Sequence, residues 1–132
     1  MSNKEEDQSY DLQQMEKWLE NYFLDPLTTY LDQMQFRIDL YETDKNWIVE
    51  ALLSHYEASE ITVFADNEKL IIKAQKALHH PKNQAEVRER TIDFPFPIVN
   101  QKITASFQSG ILEITISKEE KCSGKNRFIT LP

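Results

Sequence analysis

The side chains of this 132-residue chain that could bind a metal or attack a substrate are few: His55, His79, His80 and Cys122. A zinc site needs three or four such ligands gathered by a turn or hairpin. Adjacent His79 and His80 would point to opposite sides of an extended segment, and Cys122 lies far along the chain. A lone cysteine has no internal disulfide partner, so a passive thiol is expected, with a bridge to a second copy as the alternative. No nucleophile elbow, catalytic cysteine signature or glycine-rich phosphate loop occurs, and Gly110 and Gly124 are the only glycines. The sequence therefore predicts no catalytic residue, metal, cofactor or small-molecule substrate.

Where chemistry is absent, apolar spacing carries the information. Ile129-Thr130-Leu131-Pro132 ends the chain after a charged run. In a strand Ile129 and Leu131 would project together while Thr130 faces water, and Pro132 has no N–H with which to prolong pairing. Such an end is shaped as an apolar plug that needs a groove, for which another subunit is the candidate. The plain alternative is a frayed terminus. Residues 118–127 lack apolar periodicity, which predicts a flexible tether. From Ser117 to Ile129 it would reach about 40 Å if extended.

The elements that must position this plug differ along the chain. Leu12, Met15, Trp18, Leu19, Tyr22 and Phe23 recur at three-four spacing, the signature of an amphipathic helix. Asp25-Pro26 predicts an N-cap and first-turn proline for a second helix, with Leu27, Tyr30, Leu31 and Met34 on its inner side. Two arrangements are open for this arm. It packs on the body as ordinary core, or its aromatic and methionine side chains form a surface that associates with varied apolar partners.

From Phe36 the period changes to two, with Phe36, Ile38 and Leu40 alternating against polar neighbours. Further strands are predicted over 47–53, 61–65, 70–75, 89–94, 103–108 and 111–117, with turns at 43–46 and 66–67. Ser109-Gly110 joins the last two, glycine supplying the positive φ of a tight hairpin. Pro95 and Pro97 forbid central pairing after the fifth. Strands at this spacing with no helix between them predict an all-β, immunoglobulin-like β-sandwich. The domain reading is an N-terminal helical arm (1–35), a sandwich (36–117) and a C-terminal extension (118–132). Sandwiches have open edges, and a terminal strand can occupy one.

Charge narrows the partners. The net charge is −7, with eight acids and two bases in residues 1–35, and two acids and four bases in residues 118–132. Lysine and arginine form no stripe, and an acidic chain is repelled by phosphates, so nucleic acid is not expected. No apolar run approaches the roughly 20 residues that span a bilayer. The acidic start lacks the order of a secretion signal, which predicts a cytoplasmic protein.

At this point the residues resemble the small heat-shock proteins with an α-crystallin domain. Ile38-Asp39-Leu40-Tyr41-Glu42-Thr43-Asp44 resembles the family's opening strand and turn, Val49-Glu50-Ala51 its next strand, and Ile61 through Leu70 the following pair. Phe94-Pro95-Phe96-Pro97 resembles the phenylalanine-x-leucine-proline step. Ala105 through Leu112 resembles the A-x-x-x-x-G-x-L hairpin, and Ile129-Thr130-Leu131 the C-terminal I-x-I/V anchor. Three departures stand out. Leu53-Ser54-His55 replaces the common Leu-Pro-Gly, Ile92 stands where an arginine is frequent, and the connection from Ala77 to Val87 is short for a strand exchanged with a partner.

The resemblance implies an ATP-independent holdase that forms a homo-oligomer and binds partly unfolded client proteins. It implies that Ile129 and Leu131 anchor subunits in a groove lined by Ile61, Val63, Ala105 and Phe107. Leu12, Met15, Trp18, Leu19, Tyr22 and Phe23 would form the client surface. Two rivals stay open: a structural assembly protein, such as a coat or spore-associated component, and a monomeric co-chaperone of related sandwich type.

Overall fold

Alternating apolar side chains give two four-stranded antiparallel sheets in the computed structural model, which describes residues 3–76 and 87–131, with side chains in the first helix from Gln14 onward. The strands are β1 (Ile38–Glu42), β2 (Asn46–Leu52), β3 (Ile61–Asp66), β4 (Lys69–Gln75), β5 (Val87–Asp93), β6 (Gln101–Gln108), β7 (Ile111–Lys121) and β8 (Arg127–Phe128). One sheet has the order β1-β2-β7-β6 and the other β5-β4-β3-β8. Two helices precede them, α1 (Asn3–Leu24) and α2 (Pro26–Met34).

Period two places Leu40, Val49, Ala51, Leu112, Ile114 and Ile116 inward from the first sheet. Val63, Ala65, Leu70, Ile72, Ala74 and Ile92 meet them from the second, none more than 2% exposed. Each large side chain among them contributes about 1.5–3 kcal/mol by leaving water. The two layers thus form the expected β-sandwich around one core.

The turns follow the residue chemistry. Ser109 and Gly110 both take left-handed backbone (φ 52° and 78°), which matches the twist of a two-residue hairpin between β6 and β7. Glycine has a second reason there, since a Cβ on Gly110 would lie 2.7 Å from Ser54 Cα. Leu53 N–H donates to the Gly110 carbonyl at 2.8 Å, so the Ser54-His55 turn is clasped to the hairpin. Asn67 also has positive φ (54°), at the turn from β3 to β4.

Two expectations are corrected. The run from Lys118 was expected to leave the sandwich as a tether, but β7 continues to Lys121. Lys118 N–H donates to the Lys45 carbonyl, Gln101 pairs with Lys121, and the Gln101 side-chain amide donates to the carbonyls of Ser117 and Lys118. Backbone pairing therefore holds residues whose side chains read as solvent-facing. The inner face of α2 also differs. Thr28 is buried and Leu31 half-buried, whereas Leu27, Tyr30 and Met34 are 57%, 56% and 54% exposed. The helix phase is set by polar anchors. Asp25 caps it by accepting from Leu27 N–H, Thr28 Oγ1 donates to the Tyr22 carbonyl, and Asp32 turns toward β5.

Candidate functional site

The C-terminal segment lies on β3 of its own chain. Beyond β7, Cys122 N–H donates to the Asn100 carbonyl and Gly124 N–H to that of Val99, which turns the chain back along the sandwich. Gly124 has φ 79°, a left-handed conformation suited to such a reversal. The Arg127 guanidinium donates to the Val99, Lys125 and Gln101 carbonyls, so it is bound by backbone despite its charged context. In β8, Arg127 pairs with Ala65 and Phe128 with Phe64, and Ile129 N–H donates to the Val63 carbonyl at 2.8 Å.

This pairing brings the apolar residues of the tail to the seam between the sheets. Ile129 is 8% exposed and belongs to the core cluster, with Leu131 packed against it. Ile61 and Val63 are buried on β3, while Ala105 and Phe107 on β6 are half-buried and packed on the same cluster. Thr130 is exposed, as alternation requires. On the outer face the Phe64 and Phe128 rings lie 4.7 Å apart, with Phe128 69% exposed.

The N-terminal arm divides its apolar residues. Met15, Trp18, Leu19 and Tyr22 pack against the body, and Phe23 is 51% exposed. The Leu12 side chain lies outside the described residues. Trp18 sits at 4.9 Å from Phe94 and 6.1 Å, edge-on, from Trp47. Phe94 and Phe96, from the proline-interrupted segment after β5, continue this aromatic group. Beside it a cleft of about 500 Å³ is lined by Met15, Trp47, Phe96, Pro97, Lys118 and Lys121 among others. Lys118 Nζ lies over the Trp47 ring and pairs with Glu42 at 2.6 Å. Phe23, Leu24, Leu27, Tyr30 and Met34 are the exposed large apolar side chains among the described residues of the arm.

A residue that the sequence reading missed ties the arm down. Arg90 on β5 is 2% exposed, and its guanidinium reaches Asp32 Oδ1 at 2.6 Å, the Phe36 carbonyl at 2.7 Å and the Tyr22 hydroxyl at 3.2 Å. It faces inward two positions from Ile92, the position where the family's arginine is frequent. Burial pushes the Tyr22 hydroxyl above its ordinary pKa, an effect opposed by the neighbouring Arg90 cation. The alternation of Arg90 with Ile92 and Phe94 was the available signal.

Among the described residues, His55 and Cys122 lie on separate connections. His55 is exposed in the turn after β2, Cys122 is exposed after β7, and His79 and His80 lie outside the described residues. Among the described residues no group of three or more histidine, cysteine, aspartate or glutamate side chains could hold a metal ion. No described helix is long and apolar enough to cross a membrane.

Known proteins are similar to this chain in sequence and in fold. Residues 39–131 match the model of the Hsp20/alpha crystallin family. Spore coat protein M of Bacillus subtilis is 26% identical over 119 residues, covering 90% of this chain and 85% of that protein. Small heat shock protein C2 of Rickettsia felis is 34% identical over 102 residues, covering 70% and 65% respectively. In structure the chain is similar to a Del-C4 mutant of hsp14.1 from Sulfolobus solfatataricus P2, with TM-score 0.54, 21% identity, and coverage of 82% of this chain and 99% of the other. With its family match spanning both sheets and the terminal segment, the chain belongs to the Hsp20/alpha crystallin family.

Proposed function

We propose that this small heat-shock-type protein is an ATP-independent holdase that self-assembles through its tail and captures unfolding proteins on its arm. The observation that carries the reading is the arm itself. Its inner face, with Met15, Trp18, Leu19 and Tyr22, covers an aromatic patch of the body, and its outer face already presents Phe23 to water. Swinging the helices away would uncover both partners of that contact. Leu12 joins the same face by spacing. An unfolding client exposes apolar area of its own, and joining the two removes both from water without sequence specificity.

Ile129 and Leu131 serve as the anchor in this reading, with Ile61, Val63, Ala105 and Phe107 as the receiving groove. A tail that pairs with β3 of its own chain can make the same hydrogen bonds with β3 of a neighbour, so exchange between copies loses no contact. Each link is weak, because burial of two aliphatic side chains at about 1.5–3 kcal/mol apiece is offset by ordering of the segment. Several links in one homo-oligomer add through effective concentration while single links still open.

The test is to heat an aggregation-prone enzyme with stoichiometric protein, ATP absent, while following turbidity. Suppression that weakens on Phe23→Ser with Trp18→Ser is the expected result. Full aggregation in the presence of the folded oligomer would refute the holdase. A second reading, a structural coat component, is favoured by the extent of the likeness to spore coat protein M. In that case the oligomer would assemble through the same tail and leave turbidity unchanged.

A further inference from the structure

The buried Arg90 guanidinium is answered by both helices of the arm and by the residue that leads into β1. Its Nη1 donates to Asp32 of α2 and to the Phe36 carbonyl just beyond that helix, and its Nη2 to Tyr22 of α1. Its Nε is buried with no partner. Asp32 Oδ1 is shared, accepting from Ile38 N–H at 3.2 Å, which ties the same carboxylate to the start of β1. Arg88 adds a contact to the Gln35 carbonyl, and Glu89 N–H donates to the Gln35 side chain. The two helices and the edge strand β5 thus meet at one cation.

A cation in this position can be accommodated in two states, the closed one leaving Nε unpaired. With the arm closed, the acceptors on both helices make its burial tolerable. With the arm away, water reaches the guanidinium, including the Nε that closure leaves unpaired. A buried charge is penalised when one partner is removed and no solvent replaces it. Removal of the partner and entry of water would here be the same movement, which would favour two states over a graded opening.

We propose that Arg90 is a latch that holds α1 and α2 to the sandwich as one unit, so that both helices release together and expose the apolar surface beneath. The latch supplies the opening step that the holdase reading requires, but its test needs no client. Hydrogen exchange of backbone amides in the full chain would be compared with Asp32→Asn, Tyr22→Phe and Arg90→Met. Asp32→Asn is expected to raise exchange at least tenfold in α1 as well as α2, with β3, β4 and β7 unchanged. Tyr22→Phe should raise exchange in α2 as well as α1 by a few-fold, because coupling through one cation is reciprocal.

Arg90→Met keeps an unbranched side chain in the slot and should free both helices at unchanged sandwich protection. If Arg90→Met fails to fold, the other two variants decide. A rise confined to the substituted helix, an equal rise across the sandwich, or no change in either conservative variant would overturn the latch. Client turbidity measured on the same variants separates the two ideas. Loosened helices without stronger suppression would leave the latch standing and count against the holdase.

Discussion

The two ends of the chain lie on the same sandwich by different means. The tail is joined mostly through backbone groups, by pairing with β3 and by Arg127 on the Val99 and Gln101 carbonyls, together with two aliphatic side chains. The arm is joined by a side-chain network around Arg90 and by the tilted ring contact of Trp18 with Phe94, contacts that depend on particular residues in one geometry. Main-chain hydrogen bonds give affinity without identity, whereas a polar cluster gives a defined position. The difference suits a tail for exchange among equal subunits and an arm for a closed state that can be left.

The comparison can be broken first at the body that both ends share. Ile114→Ala removes a fully buried side chain and should cost about 2–5 kcal/mol in denaturant unfolding. Arm, tail and sheets should then lose protection together, and a smaller loss confined to one end would show that the body is not the common support. Deleting Phe128 to Pro132 is the next largest change. It should cost about 1–3 kcal/mol and shrink the assembly in light scattering while the sandwich still unfolds cooperatively. Unchanged size would remove the tail from assembly.

Smaller effects sharpen the account of the arm. Asp25→Ala removes the N-cap of α2 and should cost about 0.5–2 kcal/mol, visible as loss of helical circular dichroism with the sheet signal retained. Leu27→Ser with Tyr30→Ser touches side chains that are already exposed. Stability should move by less than about 0.5 kcal/mol. A reduction in client capture by this pair would extend the binding surface to the exposed residues of α2, and a large loss of stability would return those residues to the core.

Much of the sandwich was legible because its alternation is regular. Leu40, Val49, Ile72 and Ile114 occupy the inward positions that period two assigns, and Ser109-Gly110 turns as its residues demand. The tail's Ile129 and Leu131 were legible by the same rule. Tertiary pairing was not. Residues 118–121 carry side chains typical of solvent, yet their backbone is paired, and a strand held by its neighbours needs no apolar pattern of its own.

The arm shows the opposite failure. Apolar residues of α2 pointed to an inner face at Leu27, Tyr30 and Met34, but Thr28 and Asp32, four residues apart, turn inward to Tyr22 and Arg90. A short helix follows its strongest specific contacts, and those partners lie up to 58 positions away. Arg90 was overlooked for a related reason. Val87-Arg88-Glu89-Arg90 reads as a charged edge strand, and only the acceptors on two distant helices make one of its cations buried.

The central claim is that both ends detach from a sandwich that stays folded. Hydrogen exchange of the unmodified full chain, followed from room temperature toward the unfolding transition, tests it most directly. The account predicts that amides of α1, α2, β8 and Ile129 exchange while β2, β3, β4 and β7 remain protected. Exchange of arm, tail and sheets at one common rate, in a single global opening, would contradict it.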